Sequence, residues 1–505
     1  MSRVKNATRN IFYGLINKLV ELVFPFIIRS IIIYTLGTQY LGLGSLFTSI
    51  LQVLNLAELG FSNAVIYNMY KPIANNDKKT ICALINAYKK IYRIIGITIL
   101  VIGISIVPLL GYIIKGDTPA NINIYALYLI YLLNTALTYF LFAYKSALIN
   151  AHQRNDIISN VRTITNSLQF ITQIIILLLL KNYYLFIIVQ CLFTIVNNVI
   201  VAIIAKKKYP DYICEGNLTK AQKRNIKKKV TGLMIQKICG TTRNSFDSIF
   251  ISAMLGLTMV AIYSNYYTIM ATVISIMGII TTSITASIGN SVATETEEKN
   301  YKDMHKLNFI YMWISGWLTT CLACLYQPLV KIWVGEELML PYLAVILFCA
   351  YFYTLKMGDI RSVYSEACGL WYENRYRAIA ESIANIILNI VLGYLFGIYG
   401  IIAGTLISLF VINFIYGSNI IFKYYFKHQN ISNYFKNHII YLFITAIVCV
   451  ITILICQIVK MDGLIGLVIK SIICLVIPNL LFLTIYSRFN VFNDAKKLFK
   501  AIIKK

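Results

Sequence analysis

The chain has 505 residues, of which 58% are hydrophobic and 13% charged, and its 46 Lys and Arg against 20 Asp and Glu give a formal net charge of +26. A soluble domain of this length needs a mostly polar surface, so this balance excludes one and indicates an integral membrane protein. The positive charge alone would also suit nucleic acid, but the basic residues follow the loops in a pattern that membrane topology explains, so no nucleic acid is expected as a partner.

Apolar runs of about 20 residues, the length that crosses a bilayer core as helix, recur from end to end. Fourteen are predicted. The first seven lie near 10–33, 41–67, 81–107, 122–144, 157–180, 183–205 and 230–255. The second seven lie near 257–290, 304–330, 341–368, 377–396, 398–422, 438–459 and 462–486. Each is predicted as α-helix, because in lipid only a helix satisfies the backbone within one segment. The first run is too long for a signal peptide and lacks a small-residue cleavage site, so it is expected to remain a span.

In the loops on one side only Lys115, Lys181, Lys331 and Lys460 are basic, while the opposite loops and both termini are rich in Lys and Arg. Cytoplasmic loops retain such residues, so the spans are even in number and both termini are expected in the cytoplasm. The block KKKYPDYICEGNLTKAQKRNIKKK at 206–229 is then a cytoplasmic connection beside anionic membrane lipids. The eleven cysteines lie mostly in spans, and the close pair Cys321 and Cys324 has no His or acidic neighbour in sequence. They read as small packing residues, and no metal site is expected.

A shift of 219 residues carries Lys18 to Lys237, the Leu-Gly at 36 and 37 to that at 255 and 256, Ser45 to Ser264, Asn155 to Asn374 and Asn166 to Asn385. Six spans separate the equivalents, which predicts two parallel six-helix lobes related by an axis along the membrane normal. The expected divisions are a first lobe at 1–205, the linker 206–229, a second lobe at 230–422, a linker at 423–437, two extra helices within 438–486 and a basic tail at 487–505.

Several spans carry charge. At about 100° per residue, Lys237, Gly240, Thr241, Asn244, Asp247 and Ser248 fall on one arc of the seventh span, with Arg243 at its edge. Lys18, Glu21, Pro25 and Arg29 share a stripe on the first, Lys356, Asp359 and Glu366 a face on the tenth, and Glu381, Asn385 and Asn389 a face on the eleventh. Each such charge costs at least about 2.5 to 3.5 kcal/mol at membrane depth, so it faces a polar cavity or another charge. Internal pairs such as Lys18 with Glu21 and Arg243 with Asp247 have helical spacing and remain an alternative. Alignment of the stripes on the repeat-related first and seventh spans favours a polar cleft whose cations suit an anionic substrate such as a phosphate.

The strings YLGLGSLFTSILQVLNLAELGFSNAVIYNMY at 40–70, FDSIFISAMLGLTMVAIYSNYYTI at 246–269 and EACGLWYENRYRAIAESIANIILNIVLGYLFGIYGIIAGTLIS at 366–408 resemble bacterial polysaccharide flippases. These belong to the multidrug, oligosaccharidyl-lipid and polysaccharide exporter superfamily, and the strings are similar to its capsule and surface-antigen branch. The resemblance implies an all-α membrane protein of fourteen helices, two six-helix lobes and a helix pair after them, and no enzymatic activity. It also implies that undecaprenyl-pyrophosphate-linked oligosaccharide units, the precursors of polysaccharides such as capsule or lipopolysaccharide, are flipped across the bacterial cytoplasmic membrane. The implied partners are the glycosyltransferases that build the unit and the polymerase that consumes it.

The family carries no strict catalytic signature, so the candidate residues rest on helical geometry. Lys18, Arg29, Lys237, Arg243, Asn244 and Lys356 are expected to bind the head group, and Glu21, Asp247, Asp359, Glu366 and Glu381 to balance charge or couple transport to protons or sodium. No cofactor is expected. The rival readings are a multidrug antiporter or a peptidoglycan-precursor flippase of the same superfamily. An integral-membrane glycosyltransferase or polymerase is disfavoured, because the expected external loops are too short to hold a sugar-processing site.

Overall fold

The computed structural model describes residues 3–55, 61–116, 118–142, 144–220, 222–224, 241 and 245–503, and among these it is helical without strands. Two compact units divide the chain, Met1–Ala261 and Ile262–Lys505.

The first unit contains α1 (Arg3–Thr35), α2 (Thr38–Leu54), α3 (Phe61–Ala74), α4 (Lys78–Ile106), the short α5 (Leu110–Ile113), α6 (Ile124–Phe140), α7 (Tyr144–Ala151), α8 (Asn155–Leu179), α9 (Tyr183–Lys208) and α10 (Ser245–Leu255). Helix α1 packs along α8, α8 on α9, and α6 on both α4 and α9. Aromatic groups fill the centre: Phe47 meets Tyr128 and Tyr131 edge-on at 5.4 and 5.7 Å, and the Tyr131 and Tyr183 hydroxyls lie 3.0 Å apart. Each hydroxyl thereby keeps a partner where water is excluded.

The division falls within α11 (Leu257–Thr294). The second unit continues with α12 (Glu297–Val334), α13 (Tyr342–Met357), α14 (Asp359–Ala367), α15 (Arg375–Phe396), α16 (Ile398–Ser408), a π-helical stretch Leu409–Tyr416, α17 (Gly417–Tyr424), α18 (Ile431–Ile458), α19 (Gly463–Tyr486) and α20 (Asn490–Ile503). Helix α12 is the centre of this unit, packed by α13, α18, α19 and α20. Helices α15 and α16 pack closely: a Cβ on Gly400 would lie 1.8 Å from the Leu392 carbonyl oxygen. Small residues allow such approach where apolar burial alone gives helices no reason to associate.

Among the described residues ten helices are long and apolar enough to cross a membrane, or eleven if α6 and α7, bent by 49°, form one span. The expected single run at 122–144 is thus a broken one. Three expected spans are not among these. Helix α1 carries Lys18, Glu21 and Arg29 in its apolar stretch, and residues 56–60 of the run 41–67 and most of 230–255 lie outside the described residues. Large apolar side chains such as Ile94, Val101, Ile383, Ile387, Phe443 and Leu475 are exposed on these helices, as lipid-facing surface requires.

The 219-residue shift reappears in the helix starts. Helix α2 begins at Thr38 and α11 at Leu257, each after a glycine of positive φ, Gly37 at 108° and Gly256 at 89°. Helix α4 begins at Lys78 and α12 at Glu297, each capped by a side chain, Asp77 accepting from the Thr80 amide and Thr296 from the Lys299 amide. A left-handed glycine and an oxygen-bearing cap are the local signals that stop one helix and start the next, and both recur at the same offset.

Candidate functional site

In the first unit the stripe on α1 is half-buried at Lys18, Glu21 and Arg29. The carboxylate of Glu21 accepts a hydrogen bond from Asn17 Nδ2 at 3.0 Å, and Asn17 Oδ1 accepts from Thr163 Oγ1 of α8 at 3.4 Å. A neutral Asn thus meets Glu21 where the alternative reading had Lys18, and ties the stripe to α8. Arg29 lies within electrostatic reach of the Tyr183 hydroxyl. Of the seventh expected span, Lys237, Arg243 and Asn244 lie outside the described residues, as does any Arg243–Asp247 pairing. Asp247 and Ser248 are buried on α10, where Ser245 Oγ also donates to Gln52 Oε1 of α2 at 3.3 Å.

The second unit holds a denser constellation. Lys356, near the end of α13 and 4% exposed, places Nζ 2.6 Å from Asp359 Oδ2 at the start of α14. The Tyr311 hydroxyl of α12 donates to the same oxygen at 2.5 Å. Glu381 of α15 is 2% exposed, and its Oε2 accepts from Arg377 Nη1 at 2.8 Å and from Asn413 Nδ2 at 2.9 Å. Asn413 in turn accepts at Oδ1 from Arg361 Nη2 of α14 at 3.2 Å, while Arg377 Nε donates to Asn374 Oδ1 at 3.1 Å. Glu366, in the last turn of α14, is exposed and lies within electrostatic reach of Asp359.

The structure therefore brings Lys356 and Asp359 together directly and places Glu381 in a second pair with Arg377. The residues that complete the network, Tyr311, Arg361, Arg377 and Asn413, are absent from the sequence-based candidates. Arg361 lies two residues beyond Asp359, on another helical face, and Arg377 reads as an ordinary basic residue at a span boundary. Asn413 reaches both Glu381 and Arg361 from the π-helical stretch, whose register no α-helical projection follows.

Among the described residues the Arg361 guanidinium, 2% exposed, hydrogen-bonds to the neutral Ser362 Oγ and Asn413 Oδ1, with the Asp359 and Glu381 carboxylates within electrostatic reach. Its Nε is buried without a hydrogen-bond partner. A cation held this way at membrane depth is costly unless something anionic joins it, and a guanidinium is suited to hold phosphate through paired N–H donors.

The first unit's loop side carries a second built cluster. Asp156, at the start of α8 and 2% exposed, receives Arg9 Nη2 at 2.8 Å and Arg154 Nε at 2.9 Å. Beside it His152 stacks on Tyr209 at 4.2 Å, and burial holds its imidazole below the usual pKa.

The family described as polysaccharide biosynthesis protein matches residues 7–287 of the chain. No curated protein matches it in sequence. Among solved structures, the lipid II flippase MurJ in an inward closed conformation is similar with a TM-score of 0.67 and 15% identity, over 94% of this chain and 99% of that one. A multidrug resistance MATE family transporter of the MOP superfamily, inward-facing, is similar with a TM-score of 0.62 and 13% identity, over 81% of this chain and 98% of that one. A MOP superfamily transporter from Pyrococcus furiosus, described by a reverse polarity of its binding pocket, is similar with a TM-score of 0.54 and 14% identity, over 83% and 96%.

Proposed function

The chain belongs to the polysaccharide biosynthesis protein family, as a transporter of the multidrug, oligosaccharidyl-lipid and polysaccharide exporter superfamily rather than an enzyme, and from that premise we propose that it flips undecaprenyl-pyrophosphate-linked oligosaccharide units across the bacterial cytoplasmic membrane by alternating access. The termini are cytoplasmic in this reading, and the product serves a surface polysaccharide such as capsule or lipopolysaccharide. The glycosyltransferases and the polymerase of that synthesis act before and after it.

The observation that carries the reading is the sign of the charge buried in the helices. A cation exporter needs carboxylates in excess, whereas the second unit gathers Lys356, Arg361 and Arg377, and among the described residues the Arg361 guanidinium hydrogen-bonds to neutral groups, Ser362 and Asn413, with Asp359 and Glu381 only within electrostatic reach. Lys18 and Arg29 add to the same sign, and the sequence assigns Lys237 and Arg243 to it as well. They attract the pyrophosphate while the isoprenoid tail stays in lipid. Glu21, Asp247, Asp359, Glu366 and Glu381 balance them, and inward movement of protons or sodium supplies a driving force.

The experiment is deletion of the gene in its native host and extraction of lipid-linked sugars, with rescue by wild type, by Arg361→Met, or by Lys237→Ala with Arg243→Ala. A complete repeat unit accumulating on the inner leaflet, with surface polysaccharide restored by wild type and by neither variant at equal membrane abundance, is the expected result. Normal pools with intact polysaccharide would exclude this substrate and favour drug export. Arrest of cell-wall synthesis itself would favour the peptidoglycan precursor.

A further inference from the structure

Three cysteines far apart in sequence meet inside the second unit: Cys324 of α12, Cys456 of α18 and Cys474 of α19. They are 8%, 5% and 1% exposed, and their sulfur atoms all lie within 4.8 Å of one another. The Cys456 and Cys474 sulfurs are 4.0 Å apart. Leu325, Ile453 and Ile473 pack around them, so the thiols share a dry pocket.

We propose that Cys324, Cys456 and Cys474 form a three-sulfur site for a soft monovalent metal ion, Cu(I), that ties α18 and α19 to α12. Packing alone would be served by alanine or serine and does not require three thiols to point at one spot. A trigonal ion with metal–sulfur bonds of about 2.3 Å holds its sulfurs about 4.0 Å apart, close to the spacing seen here. Among the described residues no His, Asp or Glu joins the group, and the neighbouring Cys321 Sγ lies 3.7 Å from the Cys474 carbonyl oxygen. Three soft ligands without a fourth suit Cu(I) better than Zn(II), which takes four in structural sites.

The charge also balances. Two S–H bonds break on binding, two protons leave to solvent, and Cu(I) is held by two thiolates and the remaining thiol with no electron transferred. The site then carries one negative charge. Lys470, half-buried one turn before Cys474 on α19, lies within electrostatic reach of Cys456 and supplies the opposite charge. A lone lysine in the middle of so apolar a helix otherwise bears its desolvation cost for nothing.

The test uses the full-length protein purified under a non-metal-binding reductant and titrated with Cu(I) buffered by a chromophoric chelator, with Ag(I) as a redox-stable substitute. Bound metal is counted by mass spectrometry and thermal unfolding is followed in parallel. Wild type is expected to retain one equivalent and to unfold at higher temperature when loaded. Cys324→Ser, Cys456→Ser and Cys474→Ser together should weaken binding at least about 100-fold, while replacement of the other eight of the eleven cysteines leaves it intact. Retention unchanged in the triple variant, or absent in wild type, would overturn the proposal. So would a Cys456–Cys474 disulfide found after thiols are blocked in intact cells, or a preference for Zn(II) over Cu(I).

Discussion

Arg377 and Glu381 stand four residues apart on α15, 2.8 Å between Nη1 and Oε2, with side-chain exposures of 13% and 3%. At an effective dielectric of about 20 and a charge separation of about 4 Å, their attraction is about 4 kcal/mol. Their joint desolvation offsets much of this, so the pair adds little net stability compared with two well-packed apolar residues. Removing one partner is another matter. Glu381→Leu takes the carboxylate away from Arg377 and from the nearby Arg361 and removes an acceptor from Asn413, at an expected cost of about 3 to 5 kcal/mol. Arg377→Leu strands a carboxylate that is almost wholly buried, at a similar cost.

The double variant Arg377→Leu with Glu381→Leu removes both charges together and loses hydrogen bonds such as those to Asn413 and Asn374, about 1 kcal/mol each. It should therefore be at least about 3 kcal/mol more stable than the sum of the single effects implies. Reversible unfolding in mixed micelles by increasing SDS, followed by circular dichroism, measures all four corners of the cycle. Single costs below about 1 kcal/mol with additive effects would mean that water reaches the pair and screens it, and the reading of a dry charged network would be refuted.

Asp156→Ala should destabilise the protein by about 2 to 3 kcal/mol in the same assay, less than a fully buried pair would lose because Arg9 and Arg154 are partly exposed; Asp156→Glu should recover part of that loss. His152 is favoured in its neutral form by burial, so its stabilising effect is complete above the ordinary imidazole range and shrinks as pH falls through about 6.5 toward its lowered folded pKa. Wild type should therefore lose more thermal stability than His152→Gln between about pH 7.5 and pH 5.5, and parallel curves would show that His152 does not titrate as described. Gly400→Ala forces a methyl group onto the Leu392 carbonyl and should cost about 2 to 3 kcal/mol, whereas Gly335→Ala, at a positive φ but with open space around it, should show only the smaller cost of backbone strain.

The sequence by itself determined the membrane setting, most of the helical spans and the internal repeat, because hydropathy and glycine stops act over a few residues. Thus the Leu-Gly pairs ending at Gly37 and Gly256 were readable before any packing was known. It also showed that Lys18, Lys356, Asp359 and Glu381 lie within apolar runs, since charge in such a run needs no third dimension to be seen. Only the tertiary structure decided which charge meets which. Glu21 takes Asn17 rather than Lys18, and Glu381 takes Arg377 and an asparagine from a π-helical turn. Cys324 finds two thiols that lie more than a hundred residues away in the chain. Such partnerships depend on how helices pack side by side, on the small residues that let them approach and on local departures from the α-helical register, which the periodicity of one helix does not encode.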